Sequence, residues 1–257
     1  MIPVAHLNRI RARFERDLTS RVRVDFFTLK PTEVAIPGRE CAHCDDIQSM
    51  LEDLAAVSTR ISLTVHDIEA DSEIAEKLGV DMIPAIVIRG QNNRALRYFG
   101  SPAERQFTVL LETLVLASTG AMELEDETVR SLRKLRSDVS VRVLVTPFCG
   151  NSPVMAFNAF RFGLQSVRVK AEVIDVMQFP RLLQRVGVPA VPLTVINDAY
   201  ATPGVLSEAD MAQAILQAAE GEAVTVKSKP RTVTMLAQPK PPRAGPRRSP
   251  SGLILPR

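Results

Sequence analysis

Cys41-Ala42-His43-Cys44 is followed by Gly79-Val80-Asp81-Met82-Ile83-Pro84, and the same skeleton returns as Cys149-Gly150-Asn151-Ser152 followed by Gly187-Val188-Pro189-Ala190-Val191-Pro192. Every matching position is displaced by 108 residues. A period this long predicts two paired domains rather than a solenoid. The copies differ at one chemically decisive position. The first has two cysteines three apart, and the second carries Ser152 where the first has Cys44, so the two sites cannot share one chemistry.

Outward from the first pair, Val22 to Leu29 is β-branched and aromatic and reads as a strand leading toward Cys41. Lys30 to Glu40, with Pro31, Pro37 and Gly38, reads as a loop. Leu7, Ile10, Phe14 and Leu18 make an opening amphipathic helix, and Ile47, Met50, Leu51 and Leu54 a second helical stripe. Ile61 to Val65 alternates as a strand does, Glu73 to Leu78 is a short helix closed by Gly79, and Ala85 to Ile88 pairs through a turn with Ala95 to Phe99. Ser101-Pro102-Ala103-Glu104 predicts a capping box that starts the next helix at Ser101. The second half repeats the order, with helices around Leu124–Leu135, Val154–Phe162, Arg181–Val186 and from Ser207, and strands at Val141–Val145, Val169–Val173 and Leu193–Ile196. Each unit reads β-α-β-α-β-β-α behind a leading helix, which favours an α/β fold with a mixed sheet flanked by helices.

The predicted organisation is one unit over 1–119, a second over 120–222 and a tail over 223–257. That tail holds eight of the 32 Lys and Arg residues, seven prolines and no acid, so it is expected to be disordered. The net charge of +3 is therefore uneven: the rest of the chain sets 24 basic residues against 29 acidic ones. The basic tail permits weak, salt-sensitive contact with anions but specifies no nucleic acid. Three cysteines are too few for a disulfide framework. The charged N-terminal stretch from Arg9 to Asp17 does not read as a signal peptide, and no apolar run is long enough for a membrane span, so a cytoplasmic protein without membrane contact is expected.

A C-x-x-C pair is shared by redox sites, half zinc sites and inert thiols. Three features favour redox chemistry here. The pair opens a helix after a strand, where free N–H groups and the positive helix end stabilise a thiolate at Cys41 and lower its pKa from about 8.5 toward about 7. His43, between the two cysteines, would favour the thiolate further, unless it is only an exposed helix residue. Ile83-Pro84 begins a buried strand, an odd place for proline unless its bond is cis, which for X-Pro costs only about 0.5–1 kcal/mol. A cis bond would leave the Ile83 backbone outward for an extended substrate. A zinc site would have to recruit Cys149, His6, His43 or His66 from uncooperative spacings, so no metal is expected.

At these residues the chain resembles the thioredoxin superfamily, and over nearly all of 1–222 it is similar to the protein disulfide oxidoreductases with tandem thioredoxin folds, also called glutaredoxin-like proteins. The resemblance is carried by Cys41-Ala42-His43-Cys44, Ile83-Pro84, Arg97-Tyr98-Phe99-Gly100-Ser101-Pro102-Ala103, Thr146-Pro147-Phe148-Cys149 with Pro153, and Val191-Pro192. It implies two thioredoxin-fold units, thiol-disulfide exchange without a cofactor, Cys41 as nucleophile, Cys44 as resolving thiol, and cis bonds before Pro84 and Pro192. It further implies that Ile83, Pro84, Val191 and Pro192 hold substrate backbone. Asp25 lies on the strand where thioredoxins keep a buried acid that helps deprotonate the resolving cysteine; a surface carboxylate is the plain alternative.

Two departures stand out. Ser152 replaces the second cysteine that the family usually carries in its second unit, and the loop over Lys30–Glu40 is longer than the resemblance predicts. Cys149 is then either a structural remnant, a monothiol like that in the Cys-Gly-Phe-Ser motif of monothiol glutaredoxins, or a cluster ligand. The expected activity is disulfide exchange with protein thiols and disulfides through Cys41 and Cys44, with a peroxiredoxin or a thioredoxin-reductase-like protein as the implied partner. The alternatives are a redox adaptor whose second unit recognises a client, or a monothiol protein acting through Cys149.

Overall fold

The structure, a computed structural model, describes residues 2–30, 40–121, 123–226 and 234–235. The expected loop therefore lies outside the described residues except for its ends, as does most of the expected tail. Elements follow in the order α1 (Val4–Asp17), β1 (Val22–Thr28), α2 (Cys44–Ala56), β2 (Ile61–Asp67), α3 (Ser72–Leu78), β3 (Ala85–Arg89), β4 (Leu96–Phe99) and α4 (Arg105–Thr119). The second half gives α5 (Asp126–Arg133), β5 (Val139–Val145), α6 (Ser152–Gln165), β6 (Val169–Asp175), α7 (Pro180–Val186), β7 (Ala190–Val191), β8 (Leu193–Ile196), β9 (Tyr200–Pro203) and α8 (Glu208–Ala219). A final short strand, β10 (Thr234–Met235), falls within the segment expected to be disordered.

Each half is a four-stranded mixed sheet, and the two join edge to edge. The strand order is β2-β1-β3-β4-β6-β5-β8-β9, and the seam is the parallel pair β4·β6 in register Arg97↔Glu172, Tyr98↔Val173 and Phe99↔Ile174. Joining the halves covers one edge of each sheet, which would otherwise present unpaired backbone groups. A polar chain crosses the seam on one face: Arg97 faces Glu172 at 3.9 Å, Glu172 accepts from Arg142 at 2.8 Å, and Arg142 also pairs with Asp198.

Two cores cover the sheet. Alternation along β1 sends Val22, Val24 and Phe26 to a face packed by Phe14 of α1, Ile47 and Leu51 of α2, Leu114 of α4, Phe160 of α6 and Ile215 of α8. Phe27 points to the opposite face, with Leu78 of α3, Ile174 of β6 and Leu193 of β8. The short helices α3 and α7 both end on a left-handed glycine, Gly79 (φ 68°) and Gly187 (φ 74°). Those are the two glycines of the repeated motif, and each stops its helix so that the chain can turn back into the sheet.

The predicted start of α4 is corrected. That helix begins at Arg105, four residues beyond Ser101, and Glu104 adopts φ 51° without any side-chain cap. Pro102 is buried and Tyr98 Oη donates to the Ser101 carbonyl at 3.3 Å, so tertiary contacts hold this stretch as a turn and override the local capping pattern. At α8 the pattern holds: Ser207 Oγ accepts from the Asp210 N–H at 3.1 Å.

Candidate active site

Register brings both cysteine motifs to one end of the sheet. In the first half Phe27, near the end of β1, pairs with Ala85, which immediately follows Pro84. In the second, Leu144 of β5 pairs with Leu193, which follows Pro192. Each proline therefore sits at the sheet end from which the chain departs toward its cysteine. The bonds Ile83–Pro84 and Val191–Pro192 are both cis. Gly100 N–H donates to the Pro84 carbonyl at 2.8 Å and Gly204 N–H to the Pro192 carbonyl at 2.7 Å, so the two loops are tied down alike.

Cys41 and Cys44 are joined by a disulfide with S–S 2.01 Å. The helix opens at Cys44, not at Cys41; His43 is its N-cap residue, and the Cys44 N–H donates to the Cys41 carbonyl at 3.3 Å. Cys41 thus stands just ahead of the helix, partly exposed, while Cys44 is buried at 2% exposure. Of the two residues, only Cys41 keeps surface open to solvent. Asp45 and Asp46 occupy the first turn of α2, where they favour the helix but oppose a thiolate beside it.

Asp25 does not join the pair. Its neighbours Val24 and Phe26 point toward Cys44 and α2, so strand alternation sends the Asp25 carboxylate to the other face. There Oδ1 meets His66 Nε2 at 3.0 Å and Oδ2 accepts from Arg89 at 2.6 and 3.2 Å. His66 stacks on Phe27 with ring centroids 4.8 Å apart. The acid expected to tune the cysteines instead pairs with Arg89 and meets His66 on the opposite face of the sheet.

A different acid approaches the site, from the second half. Asp175, at the end of β6, is 1% exposed and lines an open cavity of about 850 Å³ together with His43, Pro102, Phe107 and Phe148. Burial pushes its carboxyl up to about 6, opposed by the Met177 N–H and by the nearby His43. His43, exposed at the start of α2, thus faces the second half across the cavity. The sequence carried a usable signal for Asp175, because Asp67 stands 108 residues earlier at the end of β2. Asp67 accepts N–H bonds from Lys30, Glu69 and Ala70, a loop-tying role; Asp175 accepts one from Met177.

The second motif is arranged differently. Cys149 is a free thiol at 0% exposure, with Sγ 3.6 Å from the Val191 carbonyl and accepting a hydrogen bond from Thr234 Oγ1 at 3.2 Å. Burial pushes this thiol up, but the surrounding hydroxyls and the N–H groups of Asn151 and Ser152 outweigh it, leaving the pKa below the ordinary thiol value. Ser152 Oγ is buried without a hydrogen bond of good geometry, yet lies close enough to the sulfur to favour its charged form. Nothing in the sequence pointed to Thr234, since it lies in a stretch that reads as a tail.

Among the described residues, no three His, Cys, Asp or Glu side chains gather as metal ligands would, and no helix is long and apolar enough to cross a membrane.

Fold and site together define a thioredoxin-like disulfide oxidoreductase architecture, doubled. A family model described as thioredoxin domain matches residues 32–112 and again 139–217, and the chain belongs to that family. Among solved structures it is similar to a protein disulfide oxidoreductase from Aeropyrum pernix (TM-score 0.75, 23% identity, covering 86% of this chain and 94% of that one). It is also similar to the alkylhydroperoxide reductase AhpF from Enterococcus faecalis (TM-score 0.73, 18% identity, 83% of this chain and 99% of that one). No curated protein matches the sequence significantly.

Proposed function

We propose that the protein exchanges disulfides with protein substrates through Cys41 and Cys44. The observation that carries this is the unequal burial of two bonded cysteines, Cys41 partly exposed just ahead of a helix and Cys44 buried as its first residue. In the reduced form the Cys41 thiolate attacks a client disulfide, forming a mixed disulfide and releasing one client thiolate, which takes up a proton. The Cys44 thiolate then attacks the Cys41 sulfur, the second client thiolate leaves, and the client has gained the two electrons that the pair has lost. Run backwards, the same steps oxidise a dithiol client.

The other roles extend this reading. Ile83 and Pro84 hold the client backbone beside Cys41, as Val191 and Pro192 do beside Cys149; both loops sit at the sheet end that carries the cysteines. His43 tunes the pair, a role supported by its place between Cys41 and Cys44 and opposite Asp175. The client is a protein disulfide, and the likeness to an alkylhydroperoxide reductase makes a peroxide-reducing protein the first to try. Support for dividing the units at 119/120 comes from Gly120, which ends α4 in a left-handed conformation.

Dithiothreitol-driven insulin reduction tests the assignment. Wild type should accelerate it and Cys41→Ser should abolish the acceleration; full activity in Cys41→Ser would refute the exchange role.

A further inference from the structure

Strand β7 is two residues long, lies outside the main sheet and ends immediately before Pro192. Its partner is β10, paired antiparallel with Thr234 opposite Val191 and Met235 opposite Ala190. The pairing sets the Thr234 hydroxyl 3.2 Å from Cys149 Sγ, while the Val191 carbonyl stands 3.6 Å from the same sulfur. The sulfur is therefore held between a strand of the second unit and a strand from the far end of the chain, and it is wholly buried. In the first unit, the matching residues before Pro84 carry no such partner strand among the described residues.

A backbone edge that pairs with a short extended segment, with a sulfur placed to meet that segment's side chain, is a receptor for polypeptide in β conformation. Main-chain hydrogen bonds give such a seat affinity without sequence demand, and the one side chain aimed at the sulfur supplies the selectivity. Threonine is a hydroxyl analogue of cysteine at this position: it donates a hydrogen bond where a client thiol would form a bond. The sequence around it is basic and proline-rich and contains no acid.

We propose that Thr234–Met235 occupy in cis, as a resident pseudosubstrate, the backbone-holding site that Val191 forms beside Cys149, an inference that rests on the client-holding role given to Val191 above, and that Cys149 becomes reactive only when this strand leaves. The ligand class is an extended peptide carrying a hydroxyl or thiol side chain opposite the sulfur. An incoming peptide competes with the tail, so the second unit binds in proportion to how far the tail is displaced. This site uses neither Cys41 nor Cys44 and stands or falls apart from the exchange reaction.

Two measurements on the full-length chain test it. In a Cys41→Ser/Cys44→Ser background, Thr234→Cys is treated with oxidised glutathione. One thiol displaces a glutathione from that disulfide, the second thiol displaces the other, and two reduced glutathione molecules leave. Peptide mapping should find position 149 linked to position 234 at a rate independent of protein concentration, whereas Thr225→Cys, which replaces a residue bonded to Gln217, should give no link. No link from position 234 would overturn the docked strand.

The second measurement follows alkylation of Cys149 by iodoacetamide in the oxidised protein, where it is the free thiol. Carbon–sulfur bond formation expels iodide. Thr234→Asp, which puts a carboxylate against a buried sulfur, should raise the rate about tenfold at high pH, the factor that about 1.4 kcal/mol of docking free energy produces. A synthetic peptide of residues 228–240 with Thr234 retained should slow it again. An unchanged rate in Thr234→Asp would refute the claim that the tail covers Cys149, and failure of the peptide to protect would refute the strand-accepting site.

Discussion

Gly100 and Asp175 touch across the seam between the two halves: a Cβ on Gly100 would stand 2.7 Å from the Cβ of Asp175. Gly100 also sits at φ 105°, a conformation closed to side chains, and its N–H holds the Pro84 loop. Gly100→Ala should therefore destabilise the protein by about 2 kcal/mol or more, read as a fall in the denaturation midpoint. A variant as stable as wild type would mean that the seam is looser than described.

Asp175 makes stability depend on pH in a defined window. Burial raises its carboxyl from 3.8 to about 6. Between those values the folded protein keeps a proton that the unfolded chain has lost, so the stabilisation is complete below about pH 4 and is lost as the pH rises through about 6. Asp175→Asn never carries the buried charge. Its stability relative to wild type should rise across that window, by at most about 3 kcal/mol. Urea unfolding at several pH values measures this, and a flat difference would contradict the buried carboxylate.

Removing Asp25 should damage the fold and spare the chemistry. Asp25→Ala leaves Arg89 and His66 without their shared carboxylate, and breaking a buried pair from one side costs about 3–5 kcal/mol. At a temperature where the variant remains folded, its insulin reduction should match wild type. A selective loss of rate with stability intact would restore Asp25 to the redox site.

Much of the architecture was legible because the two halves repeat. Gly79 and Gly187 fall at the ends of matching helices, and Pro84 and Pro192 at matching strand starts, so each copy corroborated the other. What escaped depends on contacts between segments distant in sequence. Strand periodicity places Asp25 on a strand but does not say which face meets α2, and the answer set it against His66 and Arg89. The turn through Glu104 is held by the burial of Pro102, which a capping pattern does not register. The repeat matches Asp175 to Asp67, but that Asp175 faces the first motif follows from the joining of β4 and β6, a pairing that no local signal announces. Thr234 escaped for the opposite reason: its surroundings read as unable to fold, and its strand is defined by pairing with β7.

The Cys149 motif should not substitute for the first. With 0% exposure and Ser152 in the resolving position, it lacks both access and a second thiol. Cys149→Ser should leave insulin reduction within about twofold of wild type, a change of under about 0.5 kcal/mol in barrier height. A large loss would show that electrons pass through the second unit.

Trapping a mixed disulfide identifies which cysteine attacks the client. Reduced Cys44→Ser, in a Cys149→Ser background, retains the exposed nucleophile but no thiol to resolve it. Incubated with a protein disulfide such as insulin, it should accumulate a mixed disulfide that maps to Cys41, survives denaturation and is released by dithiothreitol. If no adduct forms at Cys41 while wild type still reduces the same substrate, the assignment of nucleophile and resolving thiol is wrong.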